Sequence, residues 1–256
     1  MEDTSRRGPS GDPAALRSMK ISLDRLARVD GSARFSFGKS TVALASISGP
    51  VEVRLAAENP SLATFEVLLR PLSNVPNTQS KSLAAAIRAA LLPSLILSQH
   101  PRTLIQLVVQ ALSPVRSPAK NTPDALVAAM INASTVALLN AGSVPMKAVV
   151  CAVAVGKTRA ALVVDPSEDE GPLHASGCFA FAFGGEPDAP RCVWSNWRSV
   201  SPEGLFDEDE LAQARSLALV AAKSVLNGIK TALRPGSVDE DSEEDEGDQD
   251  DKMEIS

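Results

Sequence analysis

Four carboxylates stand within six residues of the sequence, at 165–170, just before a run that is typical of a buried strand. Held together in a cleft, they could bind Mg²⁺, which prefers oxygen ligands and assists reactions at phosphoryl groups. Pro166, Gly171 and Pro172 accompany them and favour a loop whose charges face water. The residue types alone favour this solvated loop and leave a magnesium site as the alternative. The four carboxylates are Asp165, Glu168, Asp169 and Glu170.

Three further patterns resemble catalytic or ligand-binding motifs, but the residues around each one do not complete the motif. The tripeptide Gly-Lys-Ser at 38–40 would need a glycine at Ala33 and a following helix to bind phosphate, but a strand-like run follows it. His174 and Cys178 are four residues apart, yet no second pair with zinc-ligand spacing accompanies them, so Cys178 is expected in the core. With two histidines and no serine in a nucleophile elbow, a Ser-His-Asp hydrolase has little support.

The composition is typical of a globular intracellular protein. The 256 residues are 44% hydrophobic, enough to bury a sizeable core. No apolar run approaches the roughly 18 residues of a membrane span, and the first residues lack the apolar stretch of a secretory signal. We therefore expect a cytosolic or nuclear protein without a membrane partner. Cys151, Cys178 and Cys192 are an odd number in apolar surroundings, which favours buried reduced thiols over disulfides.

The charge is distributed unevenly along the chain. Residues 237–256 hold 11 of the 31 acids and one of the 25 bases, which leaves 24 bases against 20 acids in the rest. Such a block of like charge cannot bury enough apolar surface to offset the entropy of ordering, so we expect a disordered acidic tail. Residues 1–18, rich in Gly, Pro, Ser and Arg, are predicted to be a flexible arm. The folded domain is expected at 19–236.

The first block of periodic sequence predicts strands followed by a helix. Asp30-Gly31 and Gly38-Lys39 are typical hairpin turns between the first three strands. Helical spacing then begins, and Pro93 is placed to shorten the helix. The predicted strands are 21–29, 33–38, 40–48 and 62–71, and the predicted helix is 80–97.

The second block repeats the pattern. Asp124 is predicted to be the N-cap and Gly142 the C-cap of a long helix, and Gly156-Lys157 a turn between two strands. Because strands cluster before helices instead of alternating with them, we predict an α+β domain with two such blocks around one core. A doubly wound α/β fold is disfavoured for the same reason. The predicted strands are 103–112, 146–156, 158–164, one within 165–183 that holds Phe179, Phe181 and Phe183 on one face, and 190–198, and the predicted helices are 124–142 and 207–233.

A longer stretch, VDGSARFSFGKSTVALASISGPVEVR at 29–54, resembles the opening of the RNase PH-like family. Later motifs agree with that family in order and spacing, so the resemblance covers about residues 20–234. It implies the RNase PH-like fold, which is ribosomal protein S5 domain 2-like. Among family members the chain is most similar to non-catalytic ring subunits of the eukaryotic RNA exosome. The later motifs are HPRTLIQLVVQAL at 100–112, INASTVALLNAGSVPM at 131–146, VVDPSEDE at 163–170 and SPEGLFDEDEL at 201–211.

The resemblance also implies a test of activity, because phosphorolytic members of the family share three features. They carry an arginine pair that clamps RNA, a Ser-Arg or Thr-Arg pair that holds inorganic phosphate, and a pair of aspartates. Counting along this sequence places uncharged residues at all six positions, so we expect no enzymatic activity, no cofactor and no metal. The acid cluster is then a vestige or a polar loop. The six positions fall on Thr78 and Gln79, Ala125 and Leu126, and Gly171 and Gly177.

The expected function is therefore structural, as part of a ring that threads single-stranded RNA. Scattered cations that face an RNA backbone suit this role, and Arg54, Arg70 and Lys81 are the candidates, with solvated surface charges as the alternative. The resemblance implies other RNase PH-like subunits as partners, especially ribosomal RNA-processing proteins 43 and 45, together with cap proteins. It also implies a role in ribosomal RNA maturation, in the nucleus, nucleolus and cytoplasm. The alternatives are an active phosphorolytic or hydrolytic 3′ exonuclease, as a monomer or a homodimer, and a free RNA-binding module.

Overall fold

The structure, a computed structural model, describes most of the expected domain. Its first described residues, 15–18, belong to the predicted flexible arm, yet Arg17 is buried, so packed structure begins before residue 19. The acidic tail at 237–256 and three of the four clustered carboxylates lie outside the described residues. The described residues are 15–24, 26–73, 75, 77–113, 124–159, 161–167, 173–184, 190–200 and 207–234.

The first sheet has five strands in the order β1-β2-β3-β5-β4. All pairs are antiparallel except β4 with β5, which run parallel because helix α1 and the following turns connect them. In β4 and β5, buried residues alternate with more exposed ones, so one face of this sheet packs on the core. The strands are β1 (Met19–Ser22), β2 (Gly31–Phe37), β3 (Thr41–Glu52), β4 (Thr64–Arg70) and β5 (Thr103–Ala111).

The second sheet is antiparallel and is buried on both faces along its central strand. Consecutive residues 150–156 of β6 are all buried, which requires cover on both sides of the sheet. Phe179 and Phe181 of β8 share one face and are among the largest fully buried side chains, as their spacing predicted. The strands are β6 (Val149–Lys157), β7 (Leu162–Val164), β8 (Ala175–Phe183), β9 (Arg191–Ser195) and β10 (Arg198–Ser199).

Helix α2 forms the centre of the domain and packs on strands of both sheets. It is long and apolar enough to cross a membrane by length and composition, but most of it is buried inside the protein. The Asn132 side chain donates to the Ala152 carbonyl at 2.9 Å and accepts from the Ala152 amide at 2.7 Å, which ties the helix to β6. Gly142 follows the helix with φ +62°, as predicted for its C-cap. The helices are α1 (Thr78–Leu91), α2 (Asp124–Ala141) and α3 (Glu208–Ala232).

Two predicted hairpin turns are wrong. Gly31 is not in a turn but pairs with Ile47 inside the first sheet, and a Cβ there would lie 2.5 Å from the Ala141 backbone nitrogen. This glycine therefore allows close packing of β2 on helix α2. Gly156 and Lys157 likewise remain in β6, and beyond the strand the Thr158 amide donates to the Ala161 carbonyl at 3.0 Å.

Other sequence predictions are confirmed with shifted boundaries. The turn at Gly38 forms with φ +60°, and Pro93 falls in the 3₁₀ turn that follows α1. Asp207 caps α3, whose first turn carries three acids. The predicted strand at 190–198 is divided into β9 and β10, because the side-chain oxygen of Asn196 accepts from the Cys178 amide between them.

Candidate functional site

A groove of about 1020 Å³ runs between edge strand β4 and helix α1. The three cations predicted from the sequence, Arg54, Arg70 and Lys81, all line it, although they come from a loop, a strand and a helix. Their side chains are exposed, and none of them forms an ion pair with another described residue. The structure thus brings the three candidates together, while their binding to RNA stays a prediction.

A fourth cation, Arg88, lines the same groove and was not among the residues predicted from the sequence. Its Nε donates to the Phe65 carbonyl at 3.0 Å, which fixes helix α1 against β4. Arg88 follows Lys81 by seven residues, and that spacing places both side chains on one face of the helix. The helical period was therefore a signal that could have identified it.

The charge of the groove is positive but not uniform. Glu52 and Glu66 line it beside the four cations, and Glu66 accepts from the Gln106 side chain at 3.0 Å. Apolar and small side chains from α1 form part of its wall, including Ala84 and Ala85. Separate cations above a largely apolar surface suit an extended polyanion better than a compact one, because each cation can contact a different negative charge of the extended chain.

The second candidate region surrounds Asp165, the described member of the acid cluster. Its carboxylate is buried and accepts from Arg17, at 2.6 Å from Nε and 2.7 Å from Nη2. The same guanidinium also contacts Ser40 and Thr41, in the turn and strand after Gly38. The interpretation of this position as a solvated loop charge is therefore wrong, because Asp165 forms a buried bidentate ion pair.

Asp124 is the centre of a second buried network at the start of α2. Its carboxylate accepts from Arg198 at 2.9 Å and from the Asn196 amide at 3.2 Å, and it also accepts from the Ser176 hydroxyl. The sequence had assigned this side chain to capping its own helix. The structure instead places Asp124 inside the first turn, where it fastens the helix to the second sheet.

The positions predicted to have lost phosphate contacts lie next to this network. Ala125 and Leu126 are each 3% exposed and belong to the apolar interior. Gly177 pairs with Val155 in the sheet, and a Cβ there would lie 2.6 Å from the Trp197 Cα, so no side chain fits without movement. Thr78 and Gln79 are the exposed first residues of α1, and Gly171 lies outside the described residues.

The cysteines are inert in this environment. Burial raises the pKa of the Cys151 thiol to about 12, and burial together with the Asp124 charge raises the pKa of Cys178. Burial also raises the pKa of half-buried Cys192. Because the thiolate is the metal ligand and nucleophile, these groups are protonated near neutral pH and fit neither role. In the part of the chain that the structure describes, no three metal-ligating side chains cluster.

Known proteins resemble this chain in sequence over most of its length. The family model described as "3′ exoribonuclease family, domain 1" matches residues 15–143. The chain is 28% identical to exosome complex component Rrp41 of Thermococcus onnurineus over 247 residues, which cover 91% of this chain and 90% of that protein. It is 27% identical to exosome complex component RRP46 of Saccharomyces cerevisiae over 223 residues, 85% of this chain and 96% of that protein.

A solved structure shows the same fold. The crystal structure of rice (Oryza sativa) Rrp46 superposes with a TM-score of 0.73 at 23% identity, covering 89% of this chain and all of that one. The described elements thus form an RNase PH-like α+β domain, as predicted, and the chain is homologous to exosome core subunits. With the family model matching half of its length, this chain belongs to the 3′ exoribonuclease family of RNase PH-like proteins.

Proposed function

We propose that this chain is a non-catalytic subunit of an RNA exosome ring. The observation that carries the proposal is the start of helix α2, where Ala125 and Leu126 are buried apolar side chains and the neighbouring anion is the protein's own Asp124. Phosphorolysis requires a site that binds inorganic phosphate and stabilises charge in the transition state. A buried carboxylate at this place repels a phosphate anion, and Arg198 is already bonded to that carboxylate.

The remaining family positions support the same proposal. A side chain at Gly177 would collide with the Trp197 backbone, so the second aspartate of the active members has no room here. Asp165 is held by Arg17 in a buried pair, which leaves its oxygens engaged and unsuited to binding a metal ion. Positioning and charge stabilisation supply nearly all of phosphoryl-transfer catalysis, so the loss of these groups removes the activity.

The ring role is supported by the surface of the first sheet. Among the described residues β4 pairs only with β5, so its other edge is free, and exposed apolar side chains lie in β4, in the segments next to it and at the end of β3. A free edge with exposed apolar side chains is a surface that another chain can cover. We call this set the β4 edge patch, which consists of Val51, Leu55, Leu62, Leu68, Leu72 and Val75.

The groove supports a role in guiding RNA. Its four cations come from the loop after β3, from β4 and from α1, and such a spread favours contacts with successive phosphates without reading the bases. Arg54, Arg70 and Lys81 are proposed to contact single-stranded RNA, with Arg88 as an additional contact. Ribosomal RNA-processing proteins 43 and 45 are the proposed neighbours, with cap proteins above the ring. Ribosomal RNA maturation in the nucleus and nucleolus, and RNA decay also in the cytoplasm, are part of the same proposal.

A nuclease assay tests the catalytic part. The purified chain is incubated with 5′-labelled single-stranded RNA, Mg²⁺ and orthophosphate, and we expect the RNA to remain intact with no nucleoside diphosphate. Release of nucleoside diphosphates, or shortening of the RNA without phosphate, would show an active exonuclease and reject the proposal.

Affinity purification of the tagged full chain from eukaryotic cells tests the structural part. We expect mass spectrometry to recover other RNase PH-like subunits in stoichiometric amounts, and fluorescence microscopy to locate the chain in nucleus, nucleolus and cytoplasm. A monodisperse monomer that binds RNA tightly by itself would support a free RNA-binding module instead.

A further inference from the structure

The groove between β4 and α1 carries more positive charge than its own residues neutralise. Arg54, Arg70 and Lys81 form no ion pair with a described residue, and the carboxylates of Glu52 and Glu66 are fewer than the cations around them. Exposed cations in a concave surface concentrate anions, and they do so most strongly at low ionic strength.

The chain itself contains a matching polyanion. Residues 239–251 hold ten acids and no base, more charge than the groove presents. Such a segment resembles a single-stranded nucleic acid, since both are chains with closely spaced negative charges. The segment is also tethered to the domain, so its concentration at the groove does not depend on the amount of protein in solution.

The segment is long enough to reach the groove. Helix α3 ends at Ala232, and a Cβ at Gly228 in its last turns would lie 3.2 Å from Met19 in β1. Strands β1 and β4 are the opposite edges of the first sheet, four strand spacings or about 19 Å apart. About ten flexible residues have a root-mean-square span of about 18 Å, and roughly 33 Å when extended. The acidic run begins within that distance of the helix end.

We propose that residues 239–251 dock in the groove between β4 and α1 and compete there with RNA. The competition rests on the proposed RNA-guiding role, whereas the docking itself needs only the groove and the acidic run. A tethered segment has an effective concentration of about 1 mM, so an intrinsic Kd of about 0.1 mM fills the groove ten to one. Occupancy at that level weakens RNA binding by about tenfold. The acidic run thus excludes short or weakly held polyanions, and long RNA displaces it.

The experiment compares two full-length chains that differ only in the charge of the tail. In the variant, the ten acids of 239–251 are replaced by the corresponding amides. Binding of a fluorescent oligouridine is measured by anisotropy in about 50 mM salt. We expect the neutral-tail chain to bind about tenfold more tightly, and the difference to shrink in about 300 mM salt because screening weakens tail docking.

A second measurement locates the contact. A labelled peptide of residues 237–256 is titrated with the full-length neutral-tail chain, which we expect to bind it with a Kd near 0.1 mM. Lys81→Glu combined with Arg54→Glu in that chain should weaken peptide binding at least fivefold. Lys39→Glu is the matched control, because Lys39 is an exposed cation in the turn before β3, outside the groove, and its replacement should have little effect.

The outcomes separate docking from RNA binding. Equal peptide affinity for the groove variant and the Lys39→Glu control overturns the inference, and so does a peptide that does not bind. If the peptide binds in the groove but the oligouridine binds neither chain, docking is supported and the RNA-guiding role is rejected. If the oligouridine binds both chains equally and the peptide does not bind, the RNA-guiding role stands and the inference is wrong.

Discussion

The two sheets of this domain are covered to different degrees. In β4 and β5 buried residues alternate with more exposed ones, whereas β6 is buried at every residue from 150 to 156. The reason is packing, because α2 contacts both sheets while α3 packs mainly on the second. The strands β4 and β5 of the first sheet therefore retain a surface that can be covered from outside.

The exposed apolar side chains follow the same division. Seven of the nine large ones in the described ranges lie between residues 26 and 75, and two lie in the second half. Exposed apolar side chains that gather in one part of a protein can mark a surface that another chain covers. The seven are Leu26 and the six residues of the β4 edge patch, and the other two are Val200 and Val220.

Among the described ion pairs, the two most deeply buried carboxylates lie beside the second sheet, although Lys157 of that sheet is 41% exposed in its pair with Glu210. Asp165 and Asp124, beside the second sheet, are buried with arginine partners, whereas Arg34 pairs with Asp24 on the first sheet with half of its side chain exposed. Removing one partner of a buried ion pair strongly destabilises the fold, because the other charge stays buried without water or an opposite charge. An exposed pair is worth little, because water already solvates both groups.

The largest expected effect comes from breaking a buried pair. Arg17→Ala leaves the Asp165 carboxylate buried and unpaired, and should lower the free energy of unfolding by about 3–5 kcal/mol. Arg34→Ala, the matched control on the first sheet, should cost less than about 1 kcal/mol. Urea denaturation followed by circular dichroism measures both. Similar losses for the two variants would contradict the division between buried and exposed pairs.

A smaller effect is expected from adding a side chain where the second sheet has no room. Gly177→Ala places a Cβ 2.6 Å from the Trp197 Cα, and should cost about 1–3 kcal/mol through backbone displacement. Thermal unfolding in a scanning calorimeter measures the loss. An unchanged melting temperature would mean that a side chain fits at this position, which would weaken the steric argument against an acid there.

Substitutions in the β4 edge patch should affect assembly into the ring and leave folding nearly unchanged. Leu55 and Val75, 89% and 68% exposed, belong to the β4 edge patch, and replacing both by Asp should reduce incorporation into the ring at least tenfold. The stability of the isolated chain should change by less than about 0.5 kcal/mol. Val220→Asp, at 64% exposure on α3, is the matched control. Equal incorporation of the two variants in affinity purification would place the ring contacts elsewhere.

The smallest effect concerns thiol titration in the second sheet. The pKa of Cys151 is raised from 9.0 to about 12 by burial, so the folded protein keeps a proton that the unfolded chain releases above pH 9. Stability should therefore fall as the pH rises from 9 toward 12. The decline should be shallower in Cys151→Ala, compared by urea midpoints. Rapid alkylation of Cys151 in the folded protein at pH 8 would contradict this assignment.

The sequence predicted the elements well where periodicity was strong. Leu83, Ile87 and Leu91 indicated α1, and the phenylalanines at 179 and 181 indicated β8, because burial selects one face of a helix or strand. The sequence-based prediction failed at two glycines, Gly31 and Gly156. Their dipeptides are typical of turns, but both residues lie in strands. The requirement there is close packing, which is a property of the neighbouring element and not of the local sequence.

The candidate site shows the same limit. Lys81 and Arg88 are related by the helical period, so their common face was available from the sequence. The pairing of Arg17 with Asp165, 148 residues apart, was not, because no local pattern records which distant charges the fold brings together.

By itself, the sequence determined the α+β class and the family, because these follow from residue type and order. Tertiary structure decided that Arg54, Arg70 and Lys81 line one groove, and that Asp165 and Asp124 are buried with arginines. It also decided that one sheet keeps an open face. Those facts depend on which surfaces pack together, and packing is a property of the whole chain.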